Sequence, residues 1–291
     1  MKKKLVVVGT IVLFVFFLLF GTYKLMKSRT IQLFGGLTYQ VNTKQKVVAL
    51  TFDDGPTKNV EEILPLLKAY NAKATFFLIG NEIKKNPAEA KRIADAGQQI
   101  GNHSYSHNRM VFKSSSYIQE EIEKTDQLIR LAGYQGEIDF RPPNGKKLVG
   151  LPYYLNKHNR DTITWSLEPD SYFSSSTDKV NYVKKNVKPG SIILIHPMYD
   201  KTGEEVKTIK GILQSLSNKG YKFVTVNELQ EMNEWFGLES RLSSKLFLIL
   251  KYLFRFQVRI ARQNLIRSLV LCLSSNPQNK QKLDKLLPFP L

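Results

Sequence analysis

One cysteine, Cys272, stands among 291 residues, so no intrachain disulfide is available and an exported domain of this chain must rest on its hydrophobic core. Histidine is nearly as scarce, at four residues, so a site that needs imidazole must draw on those positions. Acid is short relative to base, 25 residues against 43, for a net charge of +18. The surplus lies at the ends. Residues 1–30 carry six basic groups and no acid, residues 237–291 carry ten against two, and only about +4 falls between. No basic-aromatic stripe of the kind that tracks nucleic acid occurs in that middle region, which excludes a nucleic-acid partner. Basic ends suit anionic lipid or anionic wall polymer instead.

Charge is absent altogether from Leu5 to Tyr23, nineteen residues preceded by Lys2-Lys3-Lys4. As a helix this run reaches about 28 Å, roughly the thickness of a bilayer's hydrocarbon core. Its length, and the lack of an Ala-x-Ala site after it, favour an anchor over a cleaved secretory signal. The expected organisation is an anchor or signal over 1–27, a stalk over 28–44, a folded domain over 45–236 and a basic tail over 237–291. In the tail, Arg255, Arg259 and Arg262 recur near helical spacing among apolar residues. Two readings stand there, a surface-lying amphipathic helix and a tail with little fixed structure.

Within the middle region, strand-like segments are predicted at 46–53, 74–79, 98–102, 137–141, 161–166, 190–196 and 222–226. Helical patterns alternate with them at 58–70, 87–96, 117–132, 148–158, 177–186 and 204–219. Strand-helix alternation with short connections predicts parallel β/α units. Seven strands point to an α/β fold of the distorted (β/α) barrel kind, with a doubly wound open sheet as the alternative.

The chemistry-bearing residues fall at the ends of these strands. Asp53 and Asp54 close the apolar run Val47–Leu50 within Thr51-Phe52-Asp53-Asp54-Gly55-Pro56, and two adjacent carboxylates at a buried strand end call for a cation. His103 and His107 sit at i and i+4, which a helical turn would bring to one face. His196 ends the run Ile192–Ile195. Together these offer oxygen and nitrogen ligands suited to a divalent metal. His158, flanked by Lys157 and Arg160, reads as a solvated residue.

The order TFDDGP, HSYSH, Arg141-Pro142-Pro143-Asn144-Gly145, Trp165 and Leu194-Ile195-His196 resembles the polysaccharide deacetylases of carbohydrate esterase family 4, the NodB-homology domain, over about residues 45–232. The resemblance implies that Asp54, His103 and His107 hold a metal, Zn²⁺ first, with Co²⁺, Mn²⁺ or Ni²⁺ as alternatives. It makes Asp53 the general base, Arg141 the group that orients it, His196 the general acid, and the backbone around Pro143 and Asn144 a holder of the oxyanion. Leu194, Trp165 and Tyr172 are expected to line an acetyl pocket. The family tends to show Asp-x-x-Asp-Trp after the tryptophan. Here Glu168-Pro169-Asp170-Ser171-Tyr172 stands instead, leaving Asp170 and Ser171 as rival supports for His196.

The implied activity is removal of N-acetyl groups from N-acetylglucosamine units of an acetylated glycan, peptidoglycan foremost. Chitin oligosaccharides, an exopolysaccharide or an O-acetylated xylan are further substrates. Domain and anchor together imply a single-pass membrane protein with an extracellular catalytic domain, or a secreted one if the N-terminal segment is cleaved. A non-catalytic glycan-binding protein would be expected to lack Asp53 or a metal ligand, and this chain lacks neither.

Overall fold

The computed structural model describes residues 2–233; residues 234–291, and with them the tail expected at 237–291, lie outside it. The chain begins in helix α1 (Lys2–Lys27), whose segment Gly9–Lys27 is long and apolar enough to cross a membrane, at mean hydropathy 1.9. Between Ile11 and Phe20 its apolar side chains are exposed, Phe14 at 68% and Phe17 at 65%. Exposed apolar side chains of this size mark the helix as a candidate membrane span.

The domain is organised on β2 (Val47–Asp53), every residue of which is buried. A strand covered on both faces needs an unbroken apolar run, which Val47–Leu50 provides. It pairs in parallel with β3 (Ala74–Leu78) and β6 (Ile192–Ile195), and through Val47 and Val48 with β7 (Lys222–Phe223). Next, β3 pairs with β4 (Gln99–Asn102), while β1 (Leu37–Thr38) pairs with β5 (Thr162–Ile163), both in parallel. Single parallel bridges from Asn102 to Phe140, Phe140 to Thr162 and Leu167 to Ile193 carry the order onward from β4 to β6.

Strand alternation divides the core in two. Val48, Leu50 and Phe52 point toward α2 (Val60–Ala69), α4 (Pro87–Asp95) and α8 (Glu204–Asn218), packing with Ile63, Leu67, Ile93, Ile209 and Leu213. Val47 and Ala49 point the other way, into a cluster with Phe77, Ile163, Trp165, Ile192 and Leu194. Thr51 and Asp53 share that second face, so one strand face changes from apolar to polar at the end where the site lies. Burying a Phe52 or Leu50 side chain contributes roughly 1.5–3 kcal/mol, so this packing outweighs any single polar contact near the rim.

The remaining helices are α3 (Gly80–Lys85), α5 (Ser115–Leu131), α6 (Gly150–Lys157), α7 (Ser176–Asn186) and α9 (Val226–Glu231). Local chemistry sets several starts. Ser114 and Ser175 accept from the amides of Tyr117 and Asp178, and Thr225 with Glu228 forms a full capping box.

Two expectations are corrected. The segment 137–141 pairs through one residue alone, Phe140, which bridges to Asn102 on one side and Thr162 on the other; Pro142 and Pro143 lack the amides that would extend a ladder. Residues 28–44 are not a free spacer, because Leu37 and Thr38 form β1, Val41 is 2% exposed and its amide donates to Gly190.

Candidate active site

β2 ends in two carboxylates that the backbone sends to different places. Asp53 continues the inward face and is 2% exposed, while Asp54 adopts a left-handed φ of 71° and turns toward the opening. Gly55, also at positive φ, keeps the turn tight; a Cβ there would lie 2.6 Å from Met198 Cγ.

Arg141 is fully buried and fixed on three sides. It donates to Asp53 Oδ1 at 2.6 Å, to Thr51 Oγ1 at 2.9 Å and to the Thr164 carbonyl at 3.2 Å, and its guanidinium lies 4.0 Å from the Phe77 ring centroid. Burial works against ionisation of Asp53, but Arg141, His103 and His196 outweigh it and hold the carboxyl below its usual range.

His103 and His107 converge, with ring centroids 4.9 Å apart, but not on a helix. The helical turn expected for HSYSH is replaced by a loop after β4 in which Ser104 and His107 take φ of 67° and 58°. Glu121 of α5 holds that loop through the amides of Tyr105 and Ser106, at 3.1 and 2.9 Å, and the Ser106 hydroxyl at 2.9 Å. The Ser104 hydroxyl accepts from His107 N at 3.0 Å. Nδ1 of His103 lies 2.7 Å from the Arg141 carbonyl, which calls for the proton on Nδ1 and leaves Nε2 a free lone pair. Burial, only partly offset by Asp53 and Asp54, keeps His103 below the usual histidine range and so neutral.

A ligand atom from each of Asp54, His103 and His107 lies within 4.8 Å of the others. His107 Nε2 stands 3.4 Å and His103 Nε2 3.9 Å from Asp54 Oδ1, and that oxygen is buried without a hydrogen-bond partner. An orphaned carboxylate oxygen facing two imidazole nitrogens fits a divalent cation.

Across the opening, His196 follows β6. Asp170 accepts from its backbone amide at 2.8 Å and lies 3.0 Å from Nδ1, leaving Nε2 unengaged by that carboxylate. Asp170, not Ser171, is therefore the group bonded to His196, although Ser171 borders the cavity. Asp170 is in turn ion-paired at 3.0 Å with Lys179 of α7, which also pairs with Glu205 of α8. Burial alone would lower His196, but the Asp170 hydrogen bond and the Asp53 charge override it and push its pKa up to about 9.

A cavity of about 380 Å³ collects Asp53, Asp54, His103, His107, Asn144, Trp165 and His196. Asn144 sits at φ 57° in the short turn Pro143–Gly145, with Pro143 buried beneath it. Two expected wall residues lie elsewhere. Leu194 is fully buried in the inner core cluster beside Trp165, on the sheet face it shares with Thr51 but beneath the cavity floor rather than bordering it. Tyr172 is 63% exposed and packs against Phe173 and Tyr182 outside the cavity. His158 is exposed, as expected. Sequence reading missed Lys179, Glu205 and Glu121, and also Arg29 and Glu168, whose ion pair at 2.7 Å borders the cavity and meets the Trp165 indole N–H at 3.0 Å. The positions of Lys179 and Glu121 on the buried faces of amphipathic helices were the one available signal.

A parallel α/β domain with a carboxylate-imidazole cluster at its strand ends defines a hydrolase-type site. The family model described as polysaccharide deacetylase matches residues 40–163. A peptidoglycan-N-acetylglucosamine deacetylase of Bacillus cereus is 32% identical over 199 residues, covering 67% of this chain and 93% of the relative. The peptidoglycan-N-acetylmuramic acid deacetylase PdaA of Bacillus subtilis is 30% identical over 215 residues, covering 71% and 78%. Against a bifunctional xylanase/deacetylase of Pseudobutyrivibrio xylanivorans the identity is 35%, but the chain spans only 31% of that protein. A solved peptidoglycan N-acetylglucosamine deacetylase superposes with TM-score 0.63 at 35% identity over 67% of this chain and 92% of that one. A family pseudoenzyme from Bacillus anthracis gives TM-score 0.61 at 30% identity, covering 67% and 69%. This chain belongs to the polysaccharide deacetylase family, carbohydrate esterase family 4.

Proposed function

We propose that this protein is a metal-dependent de-N-acetylase that acts outside the cell on N-acetylglucosamine units of peptidoglycan, with a distorted seven-stranded barrel held at the membrane by α1. The observation that carries the reading is the division between neighbouring carboxylates. Asp53 is committed to Arg141, whereas Asp54 Oδ1 has no partner and faces His103 and His107.

Asp54, His103 and His107 would hold the ion, zinc by the nitrogen-rich donor set, with cobalt, manganese or nickel as substitutes. Such an ion supplies Lewis-acid polarisation of the acetyl carbonyl and lowers the pKa of water toward ~7. Asp53, kept ionised by Arg141, takes the proton of the attacking water. The turn at Pro143–Gly145 presents the Asn144 backbone toward the developing oxyanion, where a fixed amide dipole costs no reorganisation. His196, charged at neutral pH because Asp170 raises its pKa to about 9, gives its proton to the departing amine. Trp165 forms part of the wall beside the acetyl group.

The peptidoglycan relatives and the membrane-length α1 support a wall glycan as substrate and an extracellular site. The xylanase/deacetylase relative keeps an acetylated xylan within the test. Full-length protein in detergent, stripped of metal and reloaded with zinc, is to be assayed for acetate release from peptidoglycan, chitin oligomers and acetylxylan. Zinc-dependent release, greatest from peptidoglycan, is expected. Release that survives chelation, or glycan binding with no release from any polymer, would refute the reading.

A further inference from the structure

The end of α1 is fastened to the cavity wall. Carbonyl oxygens of Met26, Ser28 and Arg29 accept, in turn, from Lys147 N at 3.2 Å, Lys147 Nζ at 2.5 Å and Thr164 Oγ1 at 2.6 Å. Lys147 and Thr164 are 1% and 0% exposed, so these bonds are shielded from water and their loss would strand buried polar groups. The Arg29 guanidinium pairs with Glu168 and lies 4.8 Å from the Trp165 ring centroid. Lys27, between two fastened residues, borders the same cavity as Asp53 and His196, and so do Arg29 and Lys146.

The charges of this wall do not cancel. Glu168 is matched by Arg29 and Asp53 by Arg141, while Asp54 belongs to the metal cluster. Among the described residues neither Lys27 nor Lys146 makes an ion pair; the Lys27 ammonium donates only to the Tyr23 hydroxyl, at 2.8 Å. Two cations therefore stand over the opening of a site whose proposed neutral target, an acetamido group, offers them nothing.

Resting on the proposed function, we infer that Lys27 and Lys146 form an anion subsite of the active-site cavity that takes a carboxylate carried on the glycan beside the acetamido sugar. Arg29, through Glu168 and Trp165, is the positioning residue that keeps this wall in place. A compact ammonium on a flexible stem suits a carboxylate on an ether-linked side arm, whose position varies with sugar conformation. The cavity favours a glycan over lipid headgroups, because both lysines border the pocket that holds Asp53 and His196. The subsite makes the enzyme selective for acidic over neutral acetylated glycans, and it does so with one residue, Lys27, from the last turn of α1.

The test uses full-length protein in neutral detergent and one glycan in two forms. These are peptidoglycan strands freed of stem peptides, with lactyl carboxylates intact, and the same strands with those carboxylates converted to methyl amides. Wild type is expected to show a kcat/KM at least tenfold higher on the carboxylate form, carried by KM and reduced by 0.5 M salt. Lys27→Gln with Lys146→Gln should cut the ratio between the two forms about tenfold.

Calorimetric binding of both forms to an Asp53→Asn protein gives a second readout that needs no turnover. A binding preference for the carboxylate form without hydrolysis of either would sink the proposed activity and leave the subsite standing. Hydrolysis of both forms at the same ratio in wild type and double variant would overturn the subsite alone. If the double variant loses sedimentation with anionic lipid vesicles and the ratio stays put, the lysines serve the membrane surface and the inference falls.

Discussion

The two sides of the cavity are built in different ways. On the β2–β4 side, Asp53, Asp54, His103 and His107 lie at or just past the ends of β2 and β4, Arg141 follows the bridging residue Phe140, and their partners are mostly one another. On the β6 side, one histidine depends on a relay that crosses three elements, from Asp170 to Lys179 of α7 to Glu205 of α8. On the first side Asp53, His103 and Arg141 are at most 2% exposed and only the rim ligand His107 is open, at 35% of its side chain; on the second the acting histidine itself, His196, is 38% open. A base paired with a guanidinium gains from exclusion of water, since charge interactions strengthen there. A proton donor has to reach both the leaving nitrogen and the bulk to be recharged.

That contrast orders the expected effects of mutation. Asp53→Asn should lower kcat by about 10²–10⁴, the usual range for losing a general base, with the acetate assay as readout. His107→Ala should abolish zinc retention, measured by metal analysis after gel filtration, and activity should fall with it.

Lys179→Ala strikes the other side from a distance. It leaves Asp170 and Glu205 as part-buried like charges, so a loss of about 1–3 kcal/mol in urea unfolding is expected, with zinc binding retained.

Asp170→Asn should move the alkaline limb of the kcat/KM profile downward from about 9 toward the ordinary histidine value of 6.5. Because the folded value lies above the unfolded one, this histidine contributes stability in full below pH 6.5, and loses it as pH climbs through about 9. In Asp170→Asn the decline in melting temperature across that window should flatten. An unshifted alkaline limb would show that His196 is not the group titrating in catalysis. Tyr172→Ala, outside the cavity, should change kcat/KM on short oligomers less than about twofold, within the small range of surface substitutions.

The same contrast explains what the sequence revealed. Asp53, Asp54, Arg141 and His196 were legible because apolar runs mark strands, and in parallel folds chemistry collects where strands end. The histidine pair was found for a wrong reason. A spacing of four suggested a helix, but Ser104 and His107 adopt left-handed backbone and Glu121 pins the loop. No periodicity rule reports that. β1 and the bridge at Phe140 are too short to show alternation. Lys179 and Glu205 look like solvated helix charges until α7 and α8 are packed together, and Arg29 looks like a charge flanking an apolar helix until Thr164 and Glu168 receive it.

Two adjacent carboxylates, Asp53 and Asp54, carry different duties in this site. The direct measurement is zinc stoichiometry and acetate release on the same full-length preparations of wild type, Asp53→Asn and Asp54→Asn. The expected pattern is one zinc and full activity for wild type, one zinc with activity lower by about 10²–10⁴ for Asp53→Asn, and neither zinc nor activity for Asp54→Asn. Loss of zinc from Asp53→Asn, or a zinc-bound and active Asp54→Asn, would contradict it.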